Sequence, residues 1–152
     1  MVRNVFAEFL VQTYDNTAVH PKQARVVVGE QPPPELWSDL ELGWKVCKHV
    51  KSNAIVIVKD KKAIGIGAGQ MSRVDAARLA VERAKFHGHD LQGAVAASDA
   101  FLPFPDTLEM LGAAGICALI QPGGSVKDEE VIKAAKAGGM LMVFTGERHF
   151  KH

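Results

Sequence analysis

The stretch ICALIQPGGSVKDEEVIKAAKAGGMLMVF, residues 116–144, contains two apolar runs joined by a helical segment. Ile116–Ile120 and Met140–Phe144 have the length and composition of buried strands. Val126–Ala137 between them has the spacing of a helix that ends at the Gly138–Gly139 pair. Strands that are connected through a crossover helix usually pair in parallel. This stretch therefore predicts a layered α/β domain.

The same alternation of strands and helices extends towards the N-terminus. Pro34 suits the first turn of a helix, and Trp37, Leu40, Trp44 and Cys47 follow at the spacing of one helix face. The other predicted elements are a strand covered on both faces at Ala54–Val58, a hairpin strand at Ala63–Gly67, a helix capped by Ser72 and Asp75 that ends near Gly88, a strand at Ala94–Ala97 and a helix from Pro105 to Gly115.

Two short strands are predicted before this alternation, at Glu8–Tyr14 and Ala24–Val28, and we expect them at an edge of the sheet. A chain of 152 residues is near the commonest domain size, and no linker or low-complexity segment divides it. We therefore predict a single domain over residues 1–152, an α/β/α sandwich with a mixed, largely parallel sheet.

Composition and charge narrow the classes of function. Hydrophobic residues make up 47% of the chain and charged residues 23%, as in ordinary globular proteins. The formal net charge is +1 and Lys and Arg are not clustered, so we expect no nucleic-acid partner. No signal-peptide core and no apolar run of membrane-spanning length is visible, so we expect a cytoplasmic protein without a membrane partner. Cys47 and Cys117 are predicted small core residues, which suits a reducing compartment.

Six blocks of the chain form one ordered series. They are Lys48–Ala54 (KHVKSNA), Gly65–Gln70 (GIGAGQ), Ser72–Asp75 (SRVD), Ser98–Asp106 (SDAFLPFPD), Gln121–Ser125 (QPGGS) and the terminal Gly146–His152 (GERHFKH). The series resembles the AICAR transformylase family, whose transformylase part has two cytidine-deaminase-like halves and is usually fused behind IMP cyclohydrolase. The match runs in one register from about Arg3 to His152, and it indicates the second half of the transformylase part.

The resemblance implies a function in de novo purine biosynthesis. In this reaction a formyl group passes from the co-substrate formyl-tetrahydrofolate to the amine of the imidazole carboxamide nucleotide AICAR, in a site shared between subunits. The implied fold is a cytidine-deaminase-like α/β/α sandwich. The deaminase zinc signature, His-x-Glu with Pro-Cys-x-x-Cys, is missing from this sequence. We therefore expect neither a metal site nor deaminase activity.

The resemblance also implies roles for individual residues. Asn53 contacts the reacting region through an amide that can donate and accept hydrogen bonds. Arg148 binds the nucleotide phosphate through its guanidinium, and Phe150 and His152 complete that pocket. The folate is held by Arg73, Val74, Phe101, Pro103, Phe104 and Asp106, which offer backbone groups, apolar faces and an acceptor.

Lys48 and His49 occupy a special place in the resemblance. The family's catalytic Lys-His pair belongs to the first half of the transformylase part, which is absent here. The two halves look like an ancient repeat, and Lys48-His49 corresponds to the catalytic pair of the other half. We hypothesise that a homo-oligomer presents this pair from one subunit opposite Asn53, Phe101 and Arg148 of another. The alternatives are a separate first-half subunit and a solvated helix end without a catalytic role.

Three further motifs have simple structural interpretations. His87 and His89 are predicted to complement the end of a helix rather than to bind a metal, because no carboxylate or Cys accompanies them at ligand spacing. The glycines of Gly65–Gly69 suit a hairpin better than a dinucleotide-binding loop. Gln121–Ser125 predicts a turn with a helix cap, although such a turn can also bind an anion.

Two classes of function remain open. The first is an enzyme component, a formyltransferase that works as a homo-oligomer or with a separate first half. The second is a non-catalytic module that binds folate or nucleotide as a sensor or a stabilising partner. Turnover separates the two, because tight ligand binding without turnover in any oligomer favours the second.

Overall fold

The computed structural model of the protein describes residues 2–5, 8–12, 24–149 and 151. Within these ranges, eight strands and four helices follow one another along the chain. They are β1 (Val2–Val5), β2 (Glu8–Val11), β3 (Arg25–Val28), α1 (Pro34–Cys47), β4 (Ile55–Lys59), β5 (Lys62–Gly67), α2 (Arg73–Phe86), β6 (Val95–Ser98), α3 (Asp106–Ala113), β7 (Ala118–Gln121), α4 (Asp128–Ala137) and β8 (Leu141–Phe144).

The main sheet has the strand order β3-β8-β7-β6-β4-β5. β7 is parallel to both of its neighbours, β6 and β8. β4 is antiparallel to β5 and β6, and β3 is antiparallel to β8. The predicted mixed sheet is confirmed, with the parallel pairs at its centre.

Helices cover both faces of this sheet. α1 packs on one face against β4, β6 and β7, where Leu40 and Trp44 are buried. α2, α3 and α4 cover the other face, and Leu111 and Val131 belong to the core on that side. No described helix is long and apolar enough to cross a membrane. The predicted α/β/α sandwich is confirmed, and it explains why β6 and β7 are buried along their whole lengths.

α2 approaches β5 closely because two residues of that strand have no side chain. A Cβ atom built on Gly65 lies 2.3 Å from the carbonyl oxygen of Ala80, and one built on Gly67 lies 1.8 Å from that of Ala76. Neither position accepts a larger residue without a shift of backbone. β5 also pairs with β4 as an antiparallel hairpin, as predicted. The glycines of this run therefore serve the hairpin and the helix–strand contact.

The predicted helix caps lie close to their expected positions. Ser72 Oγ accepts a hydrogen bond from Asp75 N at 3.1 Å, and α2 begins directly after Ser72. α4 begins at Asp128, two residues later than predicted. The reason is that the Asp128 carboxylate accepts hydrogen bonds from Gly124 N at 2.7 Å and Ser125 N at 3.2 Å, which keeps these residues in the preceding turn.

The N-terminal strands differ in part from the prediction. β3 is an edge strand of the main sheet, as expected. The strand predicted at Glu8–Tyr14 is β2 as far as Val11, and it pairs with β1 in a separate two-stranded sheet. Residues 13 and 14 lie outside the described ranges. Only two residues separate β1 from β2, and such short connections favour a local hairpin over the edge of a distant sheet.

Candidate functional site

The loops at one edge of the main sheet, which we call the site edge, contain most of the predicted functional residues. The carboxyl ends of the parallel strands β6, β7 and β8 meet there. β4 begins and β5 ends at the same edge, since Ile55 pairs with both Ser98 and Gly67. Phe150 and His152 lie outside the described residues. The predicted residues found at the site edge are Lys48, His49, Asn53, Arg73, Val74, Phe101, Pro103, Phe104, Asp106 and Arg148.

Arg73, the first residue of α2, is the centre of a polar network. Its guanidinium donates from Nη1 to Asn53 Oδ1 at 2.7 Å and from Nη2 to Asp99 Oδ1 at 3.0 Å. Nε donates to Ser98 Oγ at 3.2 Å and to the carbonyl oxygen of Ala100 at 3.3 Å. The planar fork of an arginine can hold several acceptors at fixed angles. The Arg73 side chain therefore ties together the start of β4, the end of β6 and the start of α2.

Asn53 is held at both ends of its side-chain amide. Oδ1 accepts from Arg73, and Nδ2 donates to the carbonyl oxygen of Gln70 at 2.9 Å. The backbone N of Asn53 also donates to that carbonyl, at 3.3 Å. An amide has two donor hydrogens and two acceptor lone pairs. One donor and one acceptor site of Asn53 therefore remain for a ligand, on a group of fixed orientation.

Asp99 is a buried carboxylate that is not among the residues predicted from the sequence. It is 1% exposed, and its Oδ2 makes no hydrogen bond within the described part of the chain. Its backbone carbonyl accepts from His149 N at 2.8 Å, so Asp99 connects the Arg73 network to the segment after β8. A buried charge needs a partner, and Arg73 is the partner here. The only sequence signal was an acidic residue directly after an apolar strand.

The tail, which we define as residues 145–149 and 151 after β8, returns across the site edge. His149 is buried, and its ring lies against that of Trp44 with the centroids 4.5 Å apart. Lys151 N donates to Ser52 Oγ at 3.1 Å, and Ser52 N donates to the carbonyl oxygen of Lys151 at 2.9 Å. The tail is therefore anchored on α1 and on the loop before β4, while the Arg148 side chain is exposed.

Lys48 and His49 follow the last residue of α1. Lys48 is half-buried and His49 is exposed. The backbone carbonyl of His49 accepts from Lys151 Nζ at 2.8 Å, so the pair lies beside the tail. This position is the end of a helix and also part of the site edge. It is compatible both with a role in catalysis and with a solvated helix end.

The loop after β6 presents a mixed surface. Phe101 and Pro103 are half-buried, whereas Phe104 and Asp106 are exposed. Asp106 Oδ1 accepts from Thr107 N at 2.6 Å and so stabilises the first turn of α3. The loop thus offers apolar faces and a carboxylate at the start of a helix.

Exposed apolar side chains precede three helices at the site edge. Met71, Phe104 and Val126 are 98%, 56% and 99% exposed and precede α2, α3 and α4. Single exposed apolar residues are common on protein surfaces, and each of these three lies just before a helix at the site edge. Met71 and Val126 are not among the predicted site residues, because a lone apolar residue beside a helix cap has no distinctive pattern.

Neither cysteine offers a ready nucleophile. Burial raises the pKa of the Cys47 thiol well above its ordinary value, and the negative charge of Asp99 raises it further. Burial also raises the pKa of Cys117, which lies before β7 at the opposite edge of the sheet. Both thiols are therefore protonated near neutral pH.

The opposite edge of the sheet contains the two histidines considered for metal binding. His87 and His89 are exposed there, after the end of α2. Over the described ranges, no group of three or more His, Cys, Asp or Glu residues could hold a metal ion.

This chain is similar to known proteins in both structure and sequence. One solved structure, a diaminohydroxyphosphoribosylaminopyrimidine deaminase/5-amino-6-(5-phosphoribosylamino)uracil reductase from Thermotoga maritima, aligns with 68% of this chain and 33% of its own. The TM-score is 0.44 and the sequence identity 24%, a likeness too distant to bear on function.

Sequence relatives are much closer. The chain is 48% identical over its whole length to the bifunctional purine biosynthesis protein PurH of Nostoc sp., and it spans 29% of that protein. It is 52% identical over 143 residues to the PurH proteins of Chlorobaculum parvum and Bacillus cytotoxicus, covering 94% of this chain and 27% of each relative. The profile of the AICARFT/IMPCHase bienzyme matches residues 1–83. The chain, which spans less than a third of these relatives, belongs to the AICARFT/IMPCHase bienzyme family.

Proposed function

We propose that this chain acts in purine biosynthesis as the second half of an AICAR transformylase. The reaction would transfer a formyl group from formyl-tetrahydrofolate to the amine of AICAR. The observation that carries the proposal is the arrangement at the site edge, where the buried Arg73 network lies in the same row of loops as the exposed Met71, Phe104 and Val126. Family membership and the similarity to PurH, a bifunctional purine biosynthesis protein, support the pathway.

Arg148 is the proposed binding residue for the nucleotide phosphate. Its neighbours in the tail are fixed: the Glu147 carbonyl accepts from Thr145 Oγ1 at 2.9 Å, and the His149 ring lies against Trp44. A guanidinium on a fixed backbone can bind phosphate oxygens bidentately with a small loss of chain entropy. The last predicted members of this pocket, Phe150 and His152, belong to the same proposal.

The folate is proposed to lie across the start of α2 and the loop after β6. Val74 would contribute backbone groups, Phe101 and Phe104 apolar faces, and Asp106 an acceptor for the amino group of the pterin. Arg73 would contribute its backbone, because its side chain is directed into the protein network. In this proposal each residue contacts the folate through a group that is not already occupied by the protein.

Asn53 is proposed to hydrogen-bond the reacting groups. Two of its four hydrogen-bonding sites are used by Arg73 and Gln70, so the remaining donor and acceptor have a fixed direction. Groups that are oriented before the substrate binds stabilise a transition state more than mobile ones.

The site is proposed to be completed by another subunit, because the resemblance implies that the catalytic Lys-His pair of the family belongs to the other half of the transformylase part. One possibility is a homo-oligomer in which Lys48 and His49 of one copy face Asn53 of another. The second possibility is a separate first-half chain that brings its own Lys-His pair. A Lys-His pair can transfer the proton that the amine loses when the new bond to the formyl carbon forms.

The decisive experiment measures formyl transfer by the purified chain with AICAR and formyl-tetrahydrofolate, beside its light-scattering mass. A double variant Lys48→Ala, His49→Ala is compared with Lys85→Ala, His87→Ala, a matched pair at the exposed end of α2 on the opposite edge. A self-complementing oligomer predicts a loss of about 100-fold or more in the first double variant and no loss in the second. No turnover, alone or with a first-half chain, by a folded protein would contradict the enzymatic proposal.

A second candidate function is a non-catalytic module that binds folate or nucleotide. It is favoured by one observation, namely that the network of Arg73 and Gln70 holds Asn53 in a fixed orientation that suits ligand binding as well as catalysis. Calorimetric binding of AICAR or folate without turnover in any oligomer would support this candidate. Turnover would exclude it.

A further inference from the structure

Gln121, the last residue of β7, links three segments of the site edge. Its side chain is fully buried. Oε1 accepts hydrogen bonds from Leu102 N at 3.4 Å and from Gly123 N at 3.1 Å. The backbone carbonyl of Gln121 accepts from Thr145 N at 2.9 Å. One residue therefore connects the segments that follow β6, β7 and β8.

The amide of Gln121 is useful at this position mainly through its oxygen. Its Nε2 faces Met142 Sδ at 3.8 Å, and a thioether is a weak acceptor. Burying an NH2 group against such a partner is unfavourable, and an apolar side chain of equal length would pack here without that penalty. This cost is offset because Oε1 accepts hydrogen bonds from two backbone N–H groups, those of Leu102 and Gly123.

Both segments held by Oε1 are otherwise constrained. Gly123 has φ +71°, and a Cβ atom on it would lie 2.5 Å from the Phe144 ring, so the turn rests directly on that ring. Leu102 is buried, while its neighbours Phe101 and Pro103 are half-buried. Oε1 thus fixes the loop after β6 to a turn that itself has little freedom.

We infer that Gln121 is a positioning residue that sets the Phe101–Asp106 loop for folate through its side chain. The inference rests on the proposed function, because it takes this loop as the folate site. The tail with Arg148 depends instead on the backbone carbonyl of Gln121, which no substitution removes. The two ligands therefore respond differently to a change of this one side chain.

The test is Gln121→Met, which keeps length and apolar volume but lacks the acceptor oxygen. In the full chain we expect the Kd for formyl-tetrahydrofolate to rise about tenfold, or about 1.4 kcal/mol, and the Kd for AICAR to change less than about twofold. Amide hydrogen exchange at Leu102 and Gly123 should accelerate by a similar factor, with Val143 as an internal reference. Gln121→Glu, measured at pH 5 where burial keeps a lone carboxyl protonated, retains a neutral acceptor oxygen and should restore the protection. Gln92→Met, at an exposed position beyond the opposite edge, is the matched control.

Different outcomes distinguish a failure of the positioning role of Gln121 from a failure of the proposed function. Equal losses of folate and AICAR affinity in Gln121→Met, or no loss of folate affinity, would overturn the positioning role while leaving the proposed function intact. Wild-type chain that binds neither ligand, alone or together with a first-half chain, would overturn the proposed function and the folate role together. Exchange at Leu102 and Gly123 would then still report whether Oε1 holds the two segments.

Discussion

Two ion pairs lie at opposite ends of the neighbouring strands β4 and β6. At the site edge, Arg73 and Asp99 are 3.0 Å apart, and their side chains are 10% and 1% exposed. At the opposite edge, Lys59 and Asp90 are 2.7 Å apart, and their side chains are 26% and 69% exposed. The shorter contact is the weaker one, because water and mobile side chains screen an exposed pair. Burial and the number of partners, rather than distance, therefore distinguish the ion pair at the site edge from the one at the opposite edge.

The largest effect is expected when the buried pair is broken. Asp99→Ala leaves the Arg73 guanidinium buried beside Asn53 and Ser98 without its countercharge, so we expect the free energy of unfolding to fall by about 3 kcal/mol. Urea unfolding followed by circular dichroism measures this loss. The matched substitution Asp90→Ala should lower the urea midpoint far less, because water screens the exposed pair. Equal losses in both variants would contradict the comparison.

Arg148 and His149 in the tail give the same contrast between an exposed and a buried side chain. His149→Ala removes a buried ring that lies against Trp44, and we expect a loss of about 1.5 kcal/mol of stability. Arg148→Ala changes an exposed side chain and should weaken AICAR binding while the midpoint of thermal unfolding stays the same. The measurements are calorimetry for binding and a thermal melt for stability. A destabilised Arg148→Ala variant would show that this residue is structural.

The reactivity of the Cys47 and Cys117 thiols compares solvent access at the two edges of the sheet. Burial raises the pKa of both, more strongly for Cys47, where the charge of Asp99 adds to the effect. Because the thiolate is the reactive form, alkylation by iodoacetamide at pH 8 should be at least about tenfold slower at Cys47 than at Cys117. Both should react at similar rates in urea. Faster alkylation of Cys47 in the native protein would mean that the site edge opens to solvent.

The smallest effect concerns the exposed pair. The hydrogen bond from Lys59 lowers the pKa of Asp90 below its ordinary value, and one from Gln92 N lowers it further. A lowered pKa in the folded state means that this contribution to stability is present above the unfolded-state value, about 3.9, and is lost as the pH falls through the folded value. NMR titration of the Asp90 carboxyl should show the shift, and Lys59→Met should reduce it. An unchanged titration curve in Lys59→Met would show that Lys59 does not lower the pKa of Asp90.

Much of the fold could be predicted because its signals are local. The runs Ala54–Val58 and Ile116–Ile120 are apolar enough to mark buried strands, and Ser72 with Asp75 marks the start of α2. The pairing of β2 was predicted wrongly, because a strand pattern carries no information about its partner. The start of α4 was missed by two residues because the Asp128 carboxylate binds backwards to the turn.

The candidate site was predictable only in outline. Sequence blocks indicated Asn53, Arg73 and the loop after β6, and the structure brings these to one edge. Asp99 and Gln121 were not assigned roles, since their importance comes from contacts made across 26 and 19 residues of chain. Such contacts depend on strand order, which periodicity does not reveal. The functional assignment of the individual residues remains a prediction.

The contact of Gly65 and Gly67 with α2 has a consequence for motion. A helix that lies directly on the backbone of a strand cannot roll or slide on it without atoms colliding, whereas side-chain layers elsewhere can rearrange between rotamers. α2, β4 and β5 should therefore move as one rigid body, carrying Arg73 and Asn53 with them. Any closure around a bound ligand should then leave this unit unchanged, and relaxation-dispersion NMR should find no microsecond-to-millisecond exchange in α2.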